Sequence, residues 1–96
     1  HTMTYSRIGV YTLTGAAPDV TRQASEGMLP ILKRQPGFVD YQLVTAEDKV
    51  ISISTWQTET QATEGSKQAA KFVAEQHTPM TLDHSYIGDV TLSSRS

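Results

Sequence analysis

Four stretches of alternating apolar and polar residues run along this chain, and two stretches with helical spacing separate them. Tyr5–Leu13 is rich in β-branched and aromatic residues and predicts a first strand. Because side chains alternate along a strand, Ile8 and Val10 are expected on one face. The opposite face then holds Arg7, Gly9, Tyr11 and Leu13.

The first helical stretch follows a short loop. Pro18 and Asp19 suit a first helical turn, and Pro36-Gly37 predicts the end of the helix. Pro30 removes one backbone hydrogen bond, so a kink or break is expected there. The apolar stripe with helical spacing consists of Val20, Ala24, Met28, Ile31 and Leu32.

Two further strands follow as a hairpin. Phe38–Thr45 and Val50–Trp56 read as strands, and the short polar segment Ala46–Lys49 joins them as a turn. One face of the third strand carries Ile51 and Ile53. Its other face carries Ser52, Ser54 and Trp56.

A second helix and a fourth strand complete the pattern. Thr58 and Gln61 have the spacing of a capping box, which predicts a helix start. The buried stripe is expected to consist of Ala62, Ser66, Ala69, Ala70 and Val73, with Phe72 at its edge. Gly65 is expected to be tolerated inside this helix at some cost to the stability of the helix. The remaining segments are predicted as a loop (His77–Leu82), a strand (His84–Leu92) and a polar tail (Ser93–Ser96).

The order β-α-β-β-α-β predicts an α+β fold of the ferredoxin-like type. Right-handed crossovers place both helices on one face of an antiparallel sheet with strand order 4-1-3-2. The other face is left open and carries several apolar residues, which is unusual for a monomer. A homodimer that covers this face is therefore expected.

The composition fits one small domain without a strong charge. The 96 residues include 8 Lys and Arg against 10 Asp and Glu, for a net charge of −2. This balance gives no support to binding of nucleic acid or anionic membranes, and no apolar run approaches a membrane span in length. The absence of cysteine excludes disulfides and thiolate chemistry and fits a cytoplasmic location. His1 and Thr2 precede Met3 and are interpreted as a remnant of cloning, so the domain is expected to span 3–96.

Three segments carry a resemblance to a known family: QPGFVDYQLV, VISISTWQTETQA and the helical SKQAAKFVAEQ. With them, the chain from Tyr5 to Leu92 resembles the antibiotic biosynthesis monooxygenase domain family of the dimeric α+β barrel superfamily. Some members of this family oxidise aromatic polyketides to quinones without metal or flavin, others degrade haem, and others are uncharacterised. The resemblance therefore implies a possible monooxygenase, with no cofactor and no metal.

The resemblance places individual residues as well. Trp56 stands where many members keep a tryptophan that lines a pocket between sheet and helices. Haem-degrading members use an Asn on the first strand and a His on the second helix. In this chain these positions fall near Gly9 and Ser66, so neither residue matches. The chain contains no asparagine at all, so the Asn proposed to assist quinone formation is also missing. Haem binding is therefore not expected.

The candidate pocket residues have two interpretations. Trp56 is either a wall that stacks on a planar ligand or a buried core residue at the end of the sheet. Ser52 and Ser54 leave room for a ligand beside it. In the alternative interpretation, large side chains from the helices fill the space. The further residues assigned to the pocket are Met28, Ser66, Phe72 and Tyr86.

Arg7, Tyr11 and His84 are the candidate polar catalytic groups beside Trp56. Arg7 is suited to hold a phenolate or carboxylate, with Tyr11 orienting an oxygen; the alternative is a surface arginine and a packed tyrosine. His84 is a candidate general base, and a solvated strand-edge histidine is the alternative. His77 fits a helix end better than a metal site, and the acidic residues are scattered.

Two functional hypotheses follow from different classes. The first is a cofactor-independent oxygenase acting on a small planar phenolic compound, in which the deprotonated substrate itself reduces oxygen. The second is a non-catalytic dimeric binding or stress-related module on the same scaffold. A roomy polar-apolar pocket on the helix side favours the first hypothesis, whereas Met28 and Phe72 packed onto Trp56 favour a structural role and thus the second.

Overall fold

The computed structural model describes residues 3–94. The predictions for His1, Thr2 and the last two residues of the tail lie outside this range. In chain order the elements are β1 (Tyr5–Leu13), α1 (Ala17–Gln23), a π-helical segment (Ala24–Met28), α2 (Leu29–Lys33), β2 (Phe38–Ala46), β3 (Lys49–Trp56), α3 (Glu59–Gln76) and β4 (Met80–Asp89).

The strands form one antiparallel sheet in the order β2-β3-β1-β4, so the predicted α+β ferredoxin-like fold is confirmed. The helical regions pack on one face of this sheet. Met28 and Leu32 from the first helical region meet Phe72 from α3 over Trp56 of β3. The sheet therefore has one face under the helices, and its other face is uncovered within this chain.

The first helical region is interrupted by a wide π-helical turn just before Pro30, where the sequence predicted a kink or break. The turn covers Ala24–Met28, and Pro30 sits at the start of α2, where a missing N–H is tolerated. Pro30 has no hydrogen to donate to the carbonyl of Glu26, four residues earlier, so a regular α-helix through this region would lack that bond. The irregularity therefore lies in the turn that precedes the proline.

The capping box at the start of α3 is confirmed. Thr58 Oγ1 accepts from the Gln61 backbone N–H at 3.1 Å, and Gln61 Oε1 accepts from the Thr58 N–H at 3.1 Å. The predicted buried stripe is partly wrong, because Ala70 is exposed and Ser66 is only partly buried. The residues of α3 that are buried are Ala62, Gly65, Ala69 and Phe72. No helix within residues 3–94 is both long and apolar enough to cross a membrane.

β4 begins earlier than predicted and ends earlier as well. Met80 pairs with Leu13, and the Thr14 N–H donates to the Pro79 carbonyl at 2.9 Å, so pairing starts inside the predicted loop. The register then shifts opposite Val10 and Tyr11, which leaves Asp83 as an extra residue in a β-bulge. Sequence alternation does not reveal such an insertion, which explains the misplaced bounds.

Asp83 joins three strands on the uncovered face. Its Oδ2 accepts from Thr12 Oγ1 of β1 at 2.5 Å and lies 3.2 Å from Lys49 Nζ of β3. The hydrogen bond from Thr12 and, as the next largest cause, the hydrogen bond from Lys49 lower the pKa of Asp83 below its ordinary value. The bulge of β4 is thereby tied to β1 and β3 at one end of the open face.

Candidate functional site

Polar side chains lie between two apolar clusters on the helix-covered face of the sheet. One apolar cluster surrounds Trp56, and the other joins Tyr11 to Val20 and Val50. Arg7 lies opposite Ser54 across the β1–β3 ladder, and Gly9 lies opposite Ser52. We call the polar group between the clusters the Arg7 cluster; its members are Arg7, Tyr11, Tyr41, Ser52 and Ser85.

Arg7 is a buried cation without an acidic partner. Its residue is 2% exposed, and no carboxylate of residues 3–94 forms an ion pair with it. Its Nη2 donates to the Tyr11 hydroxyl at 3.2 Å and its Nε donates to Ser85 Oγ at 3.3 Å. Buried charges in proteins are normally paired, so an unpaired guanidinium at this depth is suited to an anionic ligand. The interpretation of Arg7 as a surface arginine is wrong.

Gly9 allows Arg7 and Tyr11 to meet. A methyl group at Gly9 would lie 2.8 Å from both Arg7 Nη1 and Tyr11 Cε1, which is closer than real contacts allow. The guanidinium carbon also lies 5.8 Å from the centre of the Tyr11 ring, a cation–π distance. A side chain at Gly9 would therefore push apart the two groups of the site that hold each other in place.

Tyr41 brings a second phenol to the same cluster. Its hydroxyl accepts from Ser52 Oγ at 3.0 Å. Burial raises the pKa of Tyr41 above its ordinary value; the hydrogen bond from Ser52 opposes this, the neighbouring Tyr11 raises the pKa as well, and the charge of Arg7 lowers it. Tyr41 therefore keeps its proton at neutral pH, so its hydroxyl has a hydrogen to donate and does not act as a base.

Trp56 is enclosed on all sides. It is 0% exposed, its Nε1 donates to Ser54 Oγ at 2.8 Å, and Phe38 packs edge-on at 5.6 Å between ring centres. A methyl group at Gly65 of α3 would overlap a ring carbon of Trp56, so helix and indole are in direct contact. Met28 and Phe72 belong to the same apolar cluster. This packing favours the structural interpretation of Trp56.

The structure brings together only some of the predicted site residues. Arg7, Tyr11, Ser52 and Ser54 share the helix-covered face with Trp56, as expected. His84 and Tyr86 lie opposite Val10 and Ile8, on the uncovered face, where their rings stack at 6.1 Å. The prediction that His84 and Tyr86 belong to the site on the helix-covered face of the same chain is therefore wrong. Ser66 lies at the side of α3 and is only partly buried, since the neighbouring Gly65 faces the sheet.

Three residues of the site were missed from the sequence: Gly9, Tyr41 and Ser85. The facing of Tyr41 depends on a register shift between Phe38 and Asp40, which leaves Val39 as an extra residue. Ser85 lies opposite Gly9 only because of the bulge at Asp83. The one available signal was Gly9 itself, which stands between Arg7 and Tyr11 on the same strand face.

Neither histidine of residues 3–94 lies between the sheet and the helices. Within the described part of the chain, no three His, Asp or Glu side chains lie together in a way that could hold a metal ion. His77 is the C-cap of α3, in a left-handed conformation, so its predicted position at the helix end is confirmed, and His84 lies on the opposite face of the sheet. Neither described histidine is placed to ligate a haem between sheet and helices.

A shallow open groove of about 520 Å³ lies elsewhere, between α1, the π-helical segment and Thr45 of β2. Arg22 and Glu26 on its wall form an exposed ion pair at 4.0 Å, and Arg22 also contacts Asp19 at 3.4 Å. The charges of this groove are thus already partnered, unlike that of Arg7.

Comparison with known proteins identifies the fold. No family model and no curated protein matches the chain. The cofactor-independent oxygenase SnoaB from Streptomyces nogalater, in a mutant form, matches with a TM-score of 0.77 and 14% identity, over 97% of this chain and 98% of that one. The monooxygenase ActVA-Orf6 of Streptomyces coelicolor, in complex with nanaomycin D, matches with a TM-score of 0.64 and 15% identity, over 98% and 91%.

A haem-degrading protein shares the same architecture. Rv3592 from Mycobacterium tuberculosis matches with a TM-score of 0.59 and 17% identity, over 100% of both chains. The chain thus has the fold of antibiotic biosynthesis monooxygenase-type proteins, as its resemblance predicted. Since proteins of different activity have this fold, the function must be argued from the site.

Proposed function

We propose that this protein is a cofactor-independent oxygenase of a small planar phenolic compound, and that Arg7 holds the phenolate oxygen of the substrate. The observation that carries the proposal is the buried guanidinium without a carboxylate partner. The fold shared with SnoaB and ActVA-Orf6 supports it. Oxidation by dioxygen needs an electron-rich anion, and a buried cation favours the ionised form of a neighbouring phenol.

The reaction balances without a further reductant. The phenol first loses its proton to solvent, and the phenolate then gives one electron to O₂. The resulting radical pair forms a carbon–oxygen bond at a ring carbon. The peroxide anion takes up a proton from solvent, and the hydroperoxide then loses water together with the hydrogen of that ring carbon. One oxygen atom becomes the new carbonyl of a quinone, and the other leaves as water. The four electrons that O₂ accepts come from the substrate.

Each residue of the Arg7 cluster would have its own role, which is determined by the hydrogen bonds it can donate or accept. The charge of Arg7 would stabilise the phenolate, because charge-assisted hydrogen bonds are the strong ones. Tyr41, which keeps its proton, would donate to a developing carbonyl oxygen. Tyr11 would position the guanidinium through the 3.2 Å hydrogen bond that it accepts. Trp56 would support the cluster by fixing Ser54.

The test is oxygen consumption in buffer treated with a chelator and free of flavin. With a panel of dihydroxy aromatic compounds, we expect substrate-dependent uptake by the wild-type chain, with one quinone formed per O₂. Arg7→Gln should lower the rate by roughly 10- to 100-fold, since a charged hydrogen bond contributes about 1.5–3 kcal/mol. The matched control, Arg34→Gln, changes an exposed arginine and should retain the rate. Uptake by no member of the panel, or an Arg7 variant as fast as the wild type, would contradict the proposal.

A non-catalytic binding module is the second candidate, and the closed packing around Trp56 favours it. Met28, Phe72 and Gly65 leave no exposed indole surface on which a ligand could stack. Such a module would bind phenolic ligands through Arg7 without consuming oxygen. Calorimetric binding together with an absence of oxygen uptake would identify this candidate.

In either case, we propose that the chain forms a homodimer through the uncovered face of the sheet. The centre of this face is apolar, and it lies between the polar Thr12–Lys49–Asp83 group at one end and the Ser6–Thr55 hydroxyl pair at the other. In a two-fold dimer, the apolar centres of the two copies would pack against each other. A monomeric mass by size exclusion with light scattering would contradict it. The apolar residues of this face are Ile8, Val10, Val44, Ile51, Ile53 and Tyr86.

A further inference from the structure

Two aromatic side chains of β4 lie on the uncovered face of the sheet. His84 and Tyr86 are two residues apart on this strand, and their rings stack with 6.1 Å between the ring centres. Both residues are exposed, and Tyr86 is 57% exposed. Their neighbours across the ladder to β1 are the aliphatic Val10 and Ile8. The ring pair therefore extends the apolar centre of the face as far as its β4 edge.

The strand register places the ring pair in two rows that cross all four strands. The first row consists of Val44, Ile51, Val10 and His84, and the second of Gln42, Ile53, Ile8 and Tyr86. Among these eight side chains, the imidazole of His84 is the group that changes its charge between pH 5 and 8. The charge on the centre of the face is therefore set by one histidine.

The size of the face is suited to a second copy of this chain. Four strands about 4.8 Å apart, over seven residues from Ser6 to Thr12 with a rise of about 3.4 Å, give roughly 450 Å². Two copies that pack through this area would bury about 900 Å², near the lower limit of specific interfaces. A dimer of this size has little affinity to spare, so the cost of one buried charge in each copy is enough to separate it.

The charged groups around His84 do not compensate a proton on its ring. Asp83 precedes it on β4, but its carboxylate already accepts from Thr12 and lies 3.2 Å from the Lys49 ammonium of β3, which balances its charge. On this face β1 presents only hydroxyl and aliphatic side chains, and α3 packs against the other face of β4. Asp40 of β2 lies at the opposite corner, about 20 Å away by strand spacing and beyond a Debye length.

We propose that the second copy docks over the His84–Tyr86 ring pair and that this contact requires a neutral His84, so that acidification separates the dimer. The inference rests on the proposed homodimer and adds the contact that holds it and its dependence on pH. In water an imidazole is neutral above about pH 6.5 and cationic below it. Under an apolar face the cation would lose its hydration, whereas the neutral ring packs well.

Proton binding determines the direction and the size of the effect. An exposed imidazole in each separate copy takes up a proton as the pH falls through about 6.5, and a dimer that excludes these protons takes up none. Acid therefore favours the separate copies. At pH 5.5, complete exclusion raises the Kd of the dimer roughly 11-fold for each histidine, or about 120-fold for two, relative to pH 8. Partial access of water to the ring lowers this factor.

Sedimentation equilibrium at pH 8 and pH 5.5 measures the Kd of the dimer. For the wild-type chain we expect a Kd roughly 10- to 100-fold higher at pH 5.5. His84→Gln is neutral at both values and should change less than about threefold. The matched control is His77→Asn, which removes the exposed histidine at the end of α3, keeps a residue suited to its left-handed backbone and should respond like the wild type. A wild-type Kd that rises less than tenfold or falls at pH 5.5, or an undiminished response in His84→Gln, would overturn the proposal.

A fixed charge tests the same contact without acid. His84→Lys carries a cation at pH 8 and should raise the Kd at least about tenfold there, so the answer does not depend on the chain staying folded at pH 5.5. Tyr86→Ala should also raise the Kd at least about tenfold, as loss of an aromatic anchor does. The control for Tyr86→Ala is Leu82→Ala, since Leu82 is 45% exposed on the same strand but lies opposite Tyr11 on the helix-covered face. A lysine variant as tight as the wild type, or equal effects of Tyr86→Ala and Leu82→Ala, would overturn the proposal.

The outcomes separate this inference from the homodimer on which it rests. A wild-type chain that stays monomeric at pH 8 would reject the homodimer and this inference with it. A dimer of equal Kd at both pH values would leave the homodimer standing and reject the role of His84.

Discussion

Trp56→Ala should lower the free energy of unfolding by about 3–5 kcal/mol, which is the usual cost of removing a buried tryptophan. The side chain is 0% exposed and belongs to one apolar cluster with Met28, Leu32 and Phe72. Its loss would leave a cavity that the two helical regions cannot close without moving, and it would also remove the donor to Ser54. For a small domain this is a third or more of the total stability.

Urea unfolding followed by circular dichroism measures this effect, because the variant has lost its only tryptophan as a fluorescent probe. The control, Leu92→Ala, removes an apolar side chain that is 91% exposed and should change stability by less than about 0.5 kcal/mol. If Trp56→Ala does not fold, Trp56→Phe should fold with an intermediate loss. A loss below about 1 kcal/mol in Trp56→Ala would mean that the indole is not the centre of the core.

Gly65→Ala should destabilise the protein although it improves the helix. On helix propensity alone, alanine in the interior of α3 would add about 1 kcal/mol of stability. The new methyl group, however, would overlap one ring carbon of Trp56 and lie 2.7 Å from another. The indole is fixed on its other sides, so the helix must move away from the sheet. Overpacking of this kind costs about 1–3 kcal/mol.

The matched control for Gly65→Ala is Gly88→Ala. A methyl group at Gly88 in β4 would meet no atom within 4 Å, so little change is expected there. Thermal unfolding of both variants beside the wild type gives the comparison. A Gly65→Ala protein as stable as the wild type, or more stable, would show that α3 does not rest on Trp56 as described.

The architecture was accessible from sequence because local signals and the global fold agree. The bounds of β1 were predicted correctly as Tyr5–Leu13, and the capping box at Thr58 marked the start of α3. The strand order followed from the connection rules. Each of these predictions depends on a short-range sequence pattern or on the general handedness of strand connections. Both can be applied to a single sequence.

Details that depend on an inserted residue were not accessible. The extra residues at Val39 and Asp83 shift the register of β2 and β4, and strict alternation gives the wrong facing beyond such a point. The stripe of α3 was misplaced for another reason. A search for apolar residues passes over Gly65, although the contact with Trp56 selects the smallest residue at that position.

About half of the candidate site could be predicted from the sequence, for the same reasons. The shared face of Arg7 and Tyr11 followed from alternation along one strand, and the central position of β3 placed Ser52 and Ser54 under the helices. Tyr41 joined them only through a bulge. The burial of Arg7 without a carboxylate is a tertiary property, since composition alone predicts that arginines lie at the surface.

The central claim is that Arg7 stabilises a phenolate inside this protein, and the pKa of a bound phenol tests it most directly. The absorbance of 4-nitrophenol, which differs between the phenol and the phenolate, is recorded against pH with saturating wild-type protein and with Arg7→Gln. The account predicts a pKa for the wild-type complex that is lower than that of free 4-nitrophenol, and a pKa for the Arg7→Gln complex that is not lowered. A bound pKa equal to or above the free value in the wild type would contradict the account.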